Sequence, residues 1–315
     1  MSILVTGASG FVGSRLLRTF RSEKVACIGM IRRRGGNGCV VGDLEDVASL
    51  RQACSGIKTV FHCAGYAHAF AAFGDDAGLH WRVNYEGTRN LLLAAAEAGV
   101  KRLIFLSSVK AMADAGDICA NEDFPGEPET DYGLAKRAAE EIVLEAGNRH
   151  HMHVVNLRLT MVYGAGGRGN LERMGRLVRS GLFPPLPETG NHRSLVHIDD
   201  VISAMRLVAN DERAAGRTYI VAGHESPSGR ALFDALRTAQ GLPPCRWSLP
   251  VAILRGAAHL GSGLEVLFKR RFPFDGEVLK RLLDSAWYSA ERIERDLGWQ
   301  PRVPLSTGLI EMLEK

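Results

Sequence analysis

The sequence predicts an α/β protein built on a doubly wound parallel sheet, and three observations carry that prediction. An apolar strand, Ser2 to Val5, runs into Thr6-Gly7-Ala8-Ser9-Gly10-Phe11-Val12-Gly13 and then into a helix. Strands near Ser2, Lys24, Thr59, Arg102 and His153 alternate with helical stretches. A strand of buried type, Leu103-Ile104-Phe105-Leu106, ends in Ser107-Ser108, which places hydroxyls at the carboxyl edge of the sheet, where ligands of open α/β sheets bind.

The first element is the most informative. Gly7 makes the tight turn, Gly10 admits a pyrophosphate close to the backbone, and Gly13 lets helix pack on strand. The amides of the helix N-terminus, in a loop that includes Ser9, Phe11 and Val12, then face phosphates. This is the sequence form of a dinucleotide cradle and implies a nicotinamide cofactor. The second strand, Val25 to Ile31, leads into Arg32, Arg33 and Arg34 with no acid. An acid there accepts both ribose hydroxyls, whereas an Arg meets a 2′-phosphate, so the cofactor expected is NAD(P), with NADP(H) favoured.

Further along, a helix from about Leu79 to Ala98 carries the polar Asn84, and an amphipathic helix runs from Asp131 to Glu145 with Gly147 placed as its C-cap. On that second helix Tyr132 and Lys136 are i, i+4 neighbours. An ammonium beside a phenol is expected to pull the phenol's pKa down toward the working range of a general acid/base. From Gly164 the texture changes. Gly164-Ala165-Gly166-Gly167-Arg168-Gly169 and Phe183-Pro184-Pro185-Leu186-Pro187 read as loops, and regular β/α alternation stops.

Composition narrows the class. With 315 residues, 46% of them apolar, the chain can bury a full core and fill about two domains. A net charge of +4 on 39 basic and 35 acidic residues is too balanced for nucleic-acid binding. No apolar run approaches a membrane span, so no membrane insertion is expected. The first strand starts at Ser2 and leaves no room for a signal peptide, which makes the cytoplasm the default compartment. Six cysteines without a C-x-x-C spacing read as reduced and mostly buried. His150, His151 and His153 precede a strand, where only His151 and His153 share a face and no further ligand is near, so no metal is expected.

The chain resembles an extended short-chain dehydrogenase/reductase of the NAD-dependent epimerase/dehydratase group. The resemblance spans nearly the whole length. Beyond the glycine loop it rests on Gly42-Asp43-Leu44, Val60-Phe61-His62-Cys63-Ala64-Gly65, Val83 to Asn90, Ser107-Ser108-Val109-Lys110, Tyr132 to Lys136, Val162-Tyr163-Gly164 and Arg193 to Asp200. It implies a Rossmann-type fold with a smaller C-terminal substrate-binding lobe, and a homodimer. Residues 1–163 would form the cofactor domain, 164–315 would be mainly the lobe, and 194–222 would fold back onto the cofactor side. Ser108, Tyr132 and Lys136 would be the catalytic triad, with Ser108 preferred over Ser107. Asp43 and Leu44 would flank the adenine, Ala64 and Gly65 the cofactor ribose, and Asn84 would support the site.

The resemblance also implies a substrate class, a UDP-linked sugar whose diphosphate meets Asn170, at a helix start, and Arg193, whose guanidinium fork suits a pyrophosphate. An N-cap Asn and a solvated Arg are the alternative. Met161 stands where several UDP-galactose epimerases carry Asn, which weakens a hexose-specific assignment. Val109 and Lys110 stand where dehydratases carry an Asp-Glu pair, which argues against loss of water. What remains is hydride transfer at C4 of a UDP-linked hexose or N-acetylhexosamine, with a 4-ketoreductase favoured over a 4-epimerase that keeps its NAD. A reductase of steroid- or flavonoid-like alcohols and a non-catalytic nucleotide sensor are the other readings.

Overall fold

The computed structural model describes residues 2–33, 38–66, 76–167, 169–268 and 276–314; Arg34 and Arg168 lie outside them. The chain opens with β1 (Ile3–Thr6), α1 (Phe11–Ser22), β2 (Cys27–Ile31), β3 (Cys39–Val41), α2 (Val47–Cys54) and β4 (Thr59–His62). There follow α3 (Asp76–His80), a π-helical turn Trp81–Glu86, α4 (Gly87–Glu97), β5 (Arg102–Ser108), α5 (Asp131–His150) and β6 (His153–Leu159). Five of these strands and a later one, β9 (Arg217–Val221), flank β1 in the order β3-β2-β1-β4-β5-β6-β9, and every pairing is parallel.

That order reverses direction between β1 and β4, which opens a crevice at their carboxyl ends. The sheet is covered on both sides, so its central strands are apolar on both faces. Ile3 and Val5 of β1 pack with Leu16 and Phe20 of α1. Leu4, between them, faces the other way and packs with Leu50, Leu91 and Phe105.

The rest of the chain comprises β7 (Met161–Tyr163), α6 (Asn170–Arg179), β8 (Leu195–His197), α7 (Ile198–Asn210), α8 (Gly229–Ala239), α9 (Val251–Phe268), α10 (Gly276–Leu283), α11 (Glu291–Leu297) and α12 (Leu305–Leu313). β7 and β8 form a separate two-stranded sheet. Leu171, Leu186, Phe233, Leu254 and Leu309 close a third apolar cluster among α6, α8, α9 and α12. β9 and α7 return to the main sheet: β9 pairs with β6, and Val201 and Met205 of α7 join the cluster under α1.

Several local expectations are corrected. The second strand begins at Cys27, because Lys24 adopts a left-handed φ of 58° as the chain leaves α1. Strand β3 has no counterpart in the sequence reading. The long helix starts at Asp76 and is interrupted by the π-turn. Helix α5 continues through Gly147 to His150, and His151, at φ 48°, is the residue that caps it. Gly147 is glycine because α5 lies so close to β6 that a Cβ would collide with Val154. His153, buried in β6, meets the Val208 carbonyl at 2.8 Å and so does not converge with His151. All six cysteines are free, but only Cys54 is buried and Cys119 is exposed.

Candidate active site

The crevice is built from strand ends. On its β1 side, Gly7 turns the chain at φ +64°, and a Cβ there would lie 2.7 Å from the Ala64 amide. A Cβ on Gly13 would collide with the Gly7 carbonyl, so α1 can start where it does only with glycine at that position. Gly10 is the N-cap of α1. It offers no capping side chain, and the first turn holds no acid, so the leading amides of α1 are left to an outside anion. Ser9 and Gly10 are exposed there, with Phe11 and Val12 half-buried. These residues fit a dinucleotide pyrophosphate.

Around the crevice, Arg32 and Arg33 are exposed beyond β2. Asp43 follows β3 and is half-buried, its Oδ1 accepting from the Glu45 amide at 3.1 Å. Leu44 turns into the core beneath Gly87 and leaves Asp43 as the one of the pair with a side chain partly open to solvent.

On the β4 side a buried polar chain fixes the loop. The Ala64 amide donates to Thr6 Oγ1 at 3.1 Å, Thr6 meets His62 Nδ1 at 2.8 Å, His62 Nε2 meets Thr88 Oγ1 at 3.0 Å, and Thr88 donates to the Asn84 carbonyl at 2.6 Å. Burial and the Lys136 ammonium push His62 down to about 3, so it is neutral and serves as a strut. Asn84 extends the strut: its amide clamps the Tyr66 backbone, accepting from its N–H at 2.8 Å and donating to its carbonyl at 2.9 Å. A π-turn supplies the extra backbone needed to aim it. Ala64 and Gly65 are thereby held at the crevice.

The hydroxyl group of the site stands at the end of β5. Ser108 accepts from the Lys110 amide at 3.2 Å and is within hydrogen-bonding reach of Tyr132. Ser107 is buried, and its hydroxyl has no partner among the described residues. Thr130 caps α5 by accepting from the Gly133 amide at 3.1 Å, which sets the pitch of the turn carrying Tyr132. Lys136 is 5% exposed, and its Nζ donates to the Leu106 carbonyl at 2.8 Å and lies 4.5 Å from the Phe105 ring centroid.

Burial lowers Lys136 to about 8, while Glu140 and Cys63 oppose that fall. Glu140 lies one turn further along α5 and is itself locked on Arg158 at 2.6 Å, both side chains buried. Tyr132 departs from expectation. Its pKa is raised, because burial outweighs the hydrogen bond to Ser108, and Lys136 spends its ammonium on Leu106 and Phe105. His80, which sequence reasoning passed over, is buried, edge-on to Tyr132 at 5.4 Å and tilted on Tyr66 at 5.0 Å.

The residues expected to meet a substrate diphosphate are less alike than the sequence suggested. Asn170 is exposed at the first position of α6, one past the N-cap Gly169, and Glu172 turns its carboxylate back toward the Gly169 amide. Glu172 stands at the third helical position, the place of a capping-box acid, but its buried carboxylate oxygens make no hydrogen bond among the described residues, and burial raises its pKa. Arg193 is half-buried, donates to the Asp284 carbonyl at 3.2 Å, and is pressed below its ordinary pKa by burial, with Arg281 adding to the effect. Arg281 is a second guanidinium that sequence reasoning missed. Tyr288 is close enough to Arg193 to raise its pKa, and it packs with Val109 and Met112, immediately beyond Ser108. A cavity of about 570 Å³ lies elsewhere, between the 181–185 and 244–249 loops, and none of these residues lines it.

A family model described as the NAD dependent epimerase/dehydratase family matches residues 3–222. The chain belongs to this family. Its members are extended short-chain dehydrogenases/reductases, so the protein is an NAD-dependent enzyme on a Rossmann-type sheet. It is similar to the UDP-glucose 4-epimerase of Vibrio cholerae, 31% identical over 98% of this chain and 93% of that one. It is 32% identical to sterol demethylase protein B of Methylococcus capsulatus, over 96% of this chain and 94% of that one. Among solved structures, a short-chain dehydrogenase/reductase superfamily protein of Agrobacterium tumefaciens with bound NAD superposes with a TM-score of 0.75 at 25% identity, covering 99% of this chain and 96% of the other.

Proposed function

We propose that the enzyme transfers hydride at C4 of a UDP-linked hexose or N-acetylhexosamine, acting as a 4-ketoreductase. The observation that carries this reading is the hydroxyl couple Ser108–Tyr132 at the end of β5, joined through Val109, Met112 and Tyr288 to the half-buried Arg193 and its neighbour Arg281. The half-buried guanidinium fork of Arg193 suits a diphosphate.

Gly7, Gly10, Gly13, Ala64 and Gly65 would hold a nicotinamide cofactor, which would supply or take the hydride when bound. Tyr132, a phenol raised above its ordinary pKa, gives its proton to the C4 oxygen as the carbonyl becomes an alkoxide. Ser108 donates a hydrogen bond to the same oxygen and lowers the barrier while charge develops. Lys136, one turn beyond Tyr132 on α5, would hold the nicotinamide ribose. The exposed Arg32 and Arg33, with no acid after β2, support NADP(H) as the reductant.

A second reading, a 4-epimerase that retains NAD, is favoured by the full-length similarity to the Vibrio cholerae enzyme. The steroid-type reading has the Methylococcus relative in its favour but no use for a guanidinium suited to a diphosphate. Thermal melting in the presence of cofactor tests the proposal: UDP raises the midpoint of the wild type by linkage, and Arg193→Ala loses most of that rise. No shift with millimolar UDP or UDP-sugars, alongside a shift with apolar alcohols, refutes the sugar-nucleotide assignment. Interconversion of C4 epimers without added NADPH decides for the epimerase.

A further inference from the structure

We propose that His80 is a specificity-determining residue, whose Nδ1 takes a hydrogen bond with a substrate hydroxyl carried beside the reacting carbon. The inference rests on the reading of Ser108, Tyr132 and Lys136 as the place of hydride transfer. His80 ends α3, immediately before the π-turn that holds Asn84, and both α3 and that turn pack on α5. Its ring is 9% exposed, edge-on to Tyr132 with centroids 5.4 Å apart and tilted on Tyr66 at 5.0 Å.

Those contacts satisfy the carbon framework of the ring and leave its nitrogens aside. A neutral imidazole carries one N–H donor and one lone-pair acceptor, and the buried Nδ1 of His80 has no hydrogen-bond partner among the described residues. An unpaired buried nitrogen destabilises the free protein, whereas a phenyl ring would fill the slot between the two tyrosines without that cost. His62 shows the contrast within the same region: both of its nitrogens are engaged, on Thr6 and Thr88, and it serves as a strut.

The neighbours of His80 decide what it meets. Ala64 and Gly65, the part of the loop assigned to the cofactor, are backed by other residues. The Ala64 amide donates to Thr6, and a Cβ on Gly65 would lie 3.0 Å from Asn84 Oδ1 and 3.5 Å from Lys136 Nζ. His80 touches instead Tyr66, the next residue along the loop, and the ring of Tyr132, whose hydroxyl acts on the substrate oxygen. A hydroxyl fits this nitrogen because it can donate or accept, whichever tautomer the imidazole adopts. A substrate with a hydroxyl next to its carbonyl, as a 4-keto-hexose has at C3, pairs Nδ1, while an apolar ketone leaves it unpaired and is disfavoured.

Three replacements of His80 test the role, read in the oxidation of UDP-galactose and UDP-N-acetylgalactosamine with NADP⁺ or NAD⁺. His80→Phe keeps a ring between the tyrosines and removes the nitrogens. His80→Asn gives up the ring but keeps a polar atom at the place of Nδ1, and His80→Gln moves it to the place of Nε2. His80→Phe is expected to raise KM about tenfold with a smaller change in kcat, to leave the cofactor Kd unchanged, and to melt at or above the wild-type midpoint. His80→Asn should return KM to within about threefold of wild type, and His80→Gln should not. The same ranking is expected in the melting shift that UDP-galactose gives beyond that of UDP, which needs no turnover. A ring that only fills space predicts the reverse order, with Phe mildest and Asn most damaging. That reverse order, a wild-type KM in His80→Phe, or a cofactor Kd that moves with KM overturns the inference. Tyr132→Phe, run alongside, separates the two readings: if it stays active, the hydride-transfer reading falls and the inference with it, whereas an inactive Tyr132→Phe beside a wild-type-like His80→Phe overturns the inference alone.

Discussion

Glu140→Gln isolates how the fold keeps a charge on Lys136. The substitution preserves shape but removes the carboxylate one turn beyond the ammonium. Two unit charges about 6 Å apart at an effective dielectric of about 20 attract by roughly 3 kcal/mol. Arg158, clamped on Glu140 at 2.6 Å, cancels much of that, leaving about 1.4 kcal/mol, or about one pKa unit. Lys136 should then fall from about 8 to roughly 7. Its folded pKa already lies below the ordinary 10.5, so between those values the unfolded chain holds a proton that the native one lacks. This group's contribution to stability therefore rises with pH across that window. The assay is the pH profile of kcat/KM in the reductive direction, whose alkaline limb reports loss of the ammonium. It is expected near pH 8 in the wild type and about one unit lower in Glu140→Gln. Stranding Arg158 without its anion costs about 3–5 kcal/mol, so the profile is read well below the melting transition, with Glu140→Gln/Arg158→Met as a second variant. An alkaline limb that stays in place in a folded variant refutes the reasoning.

Other perturbations reach the remaining parts of the site. Tyr132→Phe is expected to lower hydride transfer by about a hundredfold or more while cofactor affinity by fluorescence titration stays nearly constant; turnover within a few-fold of wild type removes Tyr132 from its role. Replacing Arg32, Arg33 and Arg34 together by Ala should weaken NADPH binding by about 1–2 kcal/mol and spare NADH; calorimetry showing equal losses, or tighter NADH than NADPH binding in the wild type, returns the enzyme to NAD. Asn84→Ala releases the Tyr66 backbone from both of its side-chain bonds, and should raise the Kd for cofactor more than it lowers kcat; an unchanged Kd means that the loop is held by other contacts.

What the sequence displayed was determined by how local the cause is. The glycine loop, the strand ending in Ser107-Ser108 and the Tyr132–Lys136 spacing are set within a few residues, and each appears in the fold where its pattern placed it. The charge state of Tyr132 is not local. It depends on burial and on where a neighbouring ammonium finds its acceptor, here the Leu106 carbonyl thirty residues away. The Gly147 misreading has the same origin, since a glycine that looks like a C-cap is explained only by Val154 of the strand beneath it. Arg281 was invisible because nothing in its own segment marks it out; it acquires meaning only beside Arg193, which lies 88 positions earlier. Helix α9 shows the limit most clearly. In its first turns Leu254 and Ala258 are buried in the third apolar cluster while Ile253 is exposed, a division that depends on the neighbouring helices and not on the local sequence.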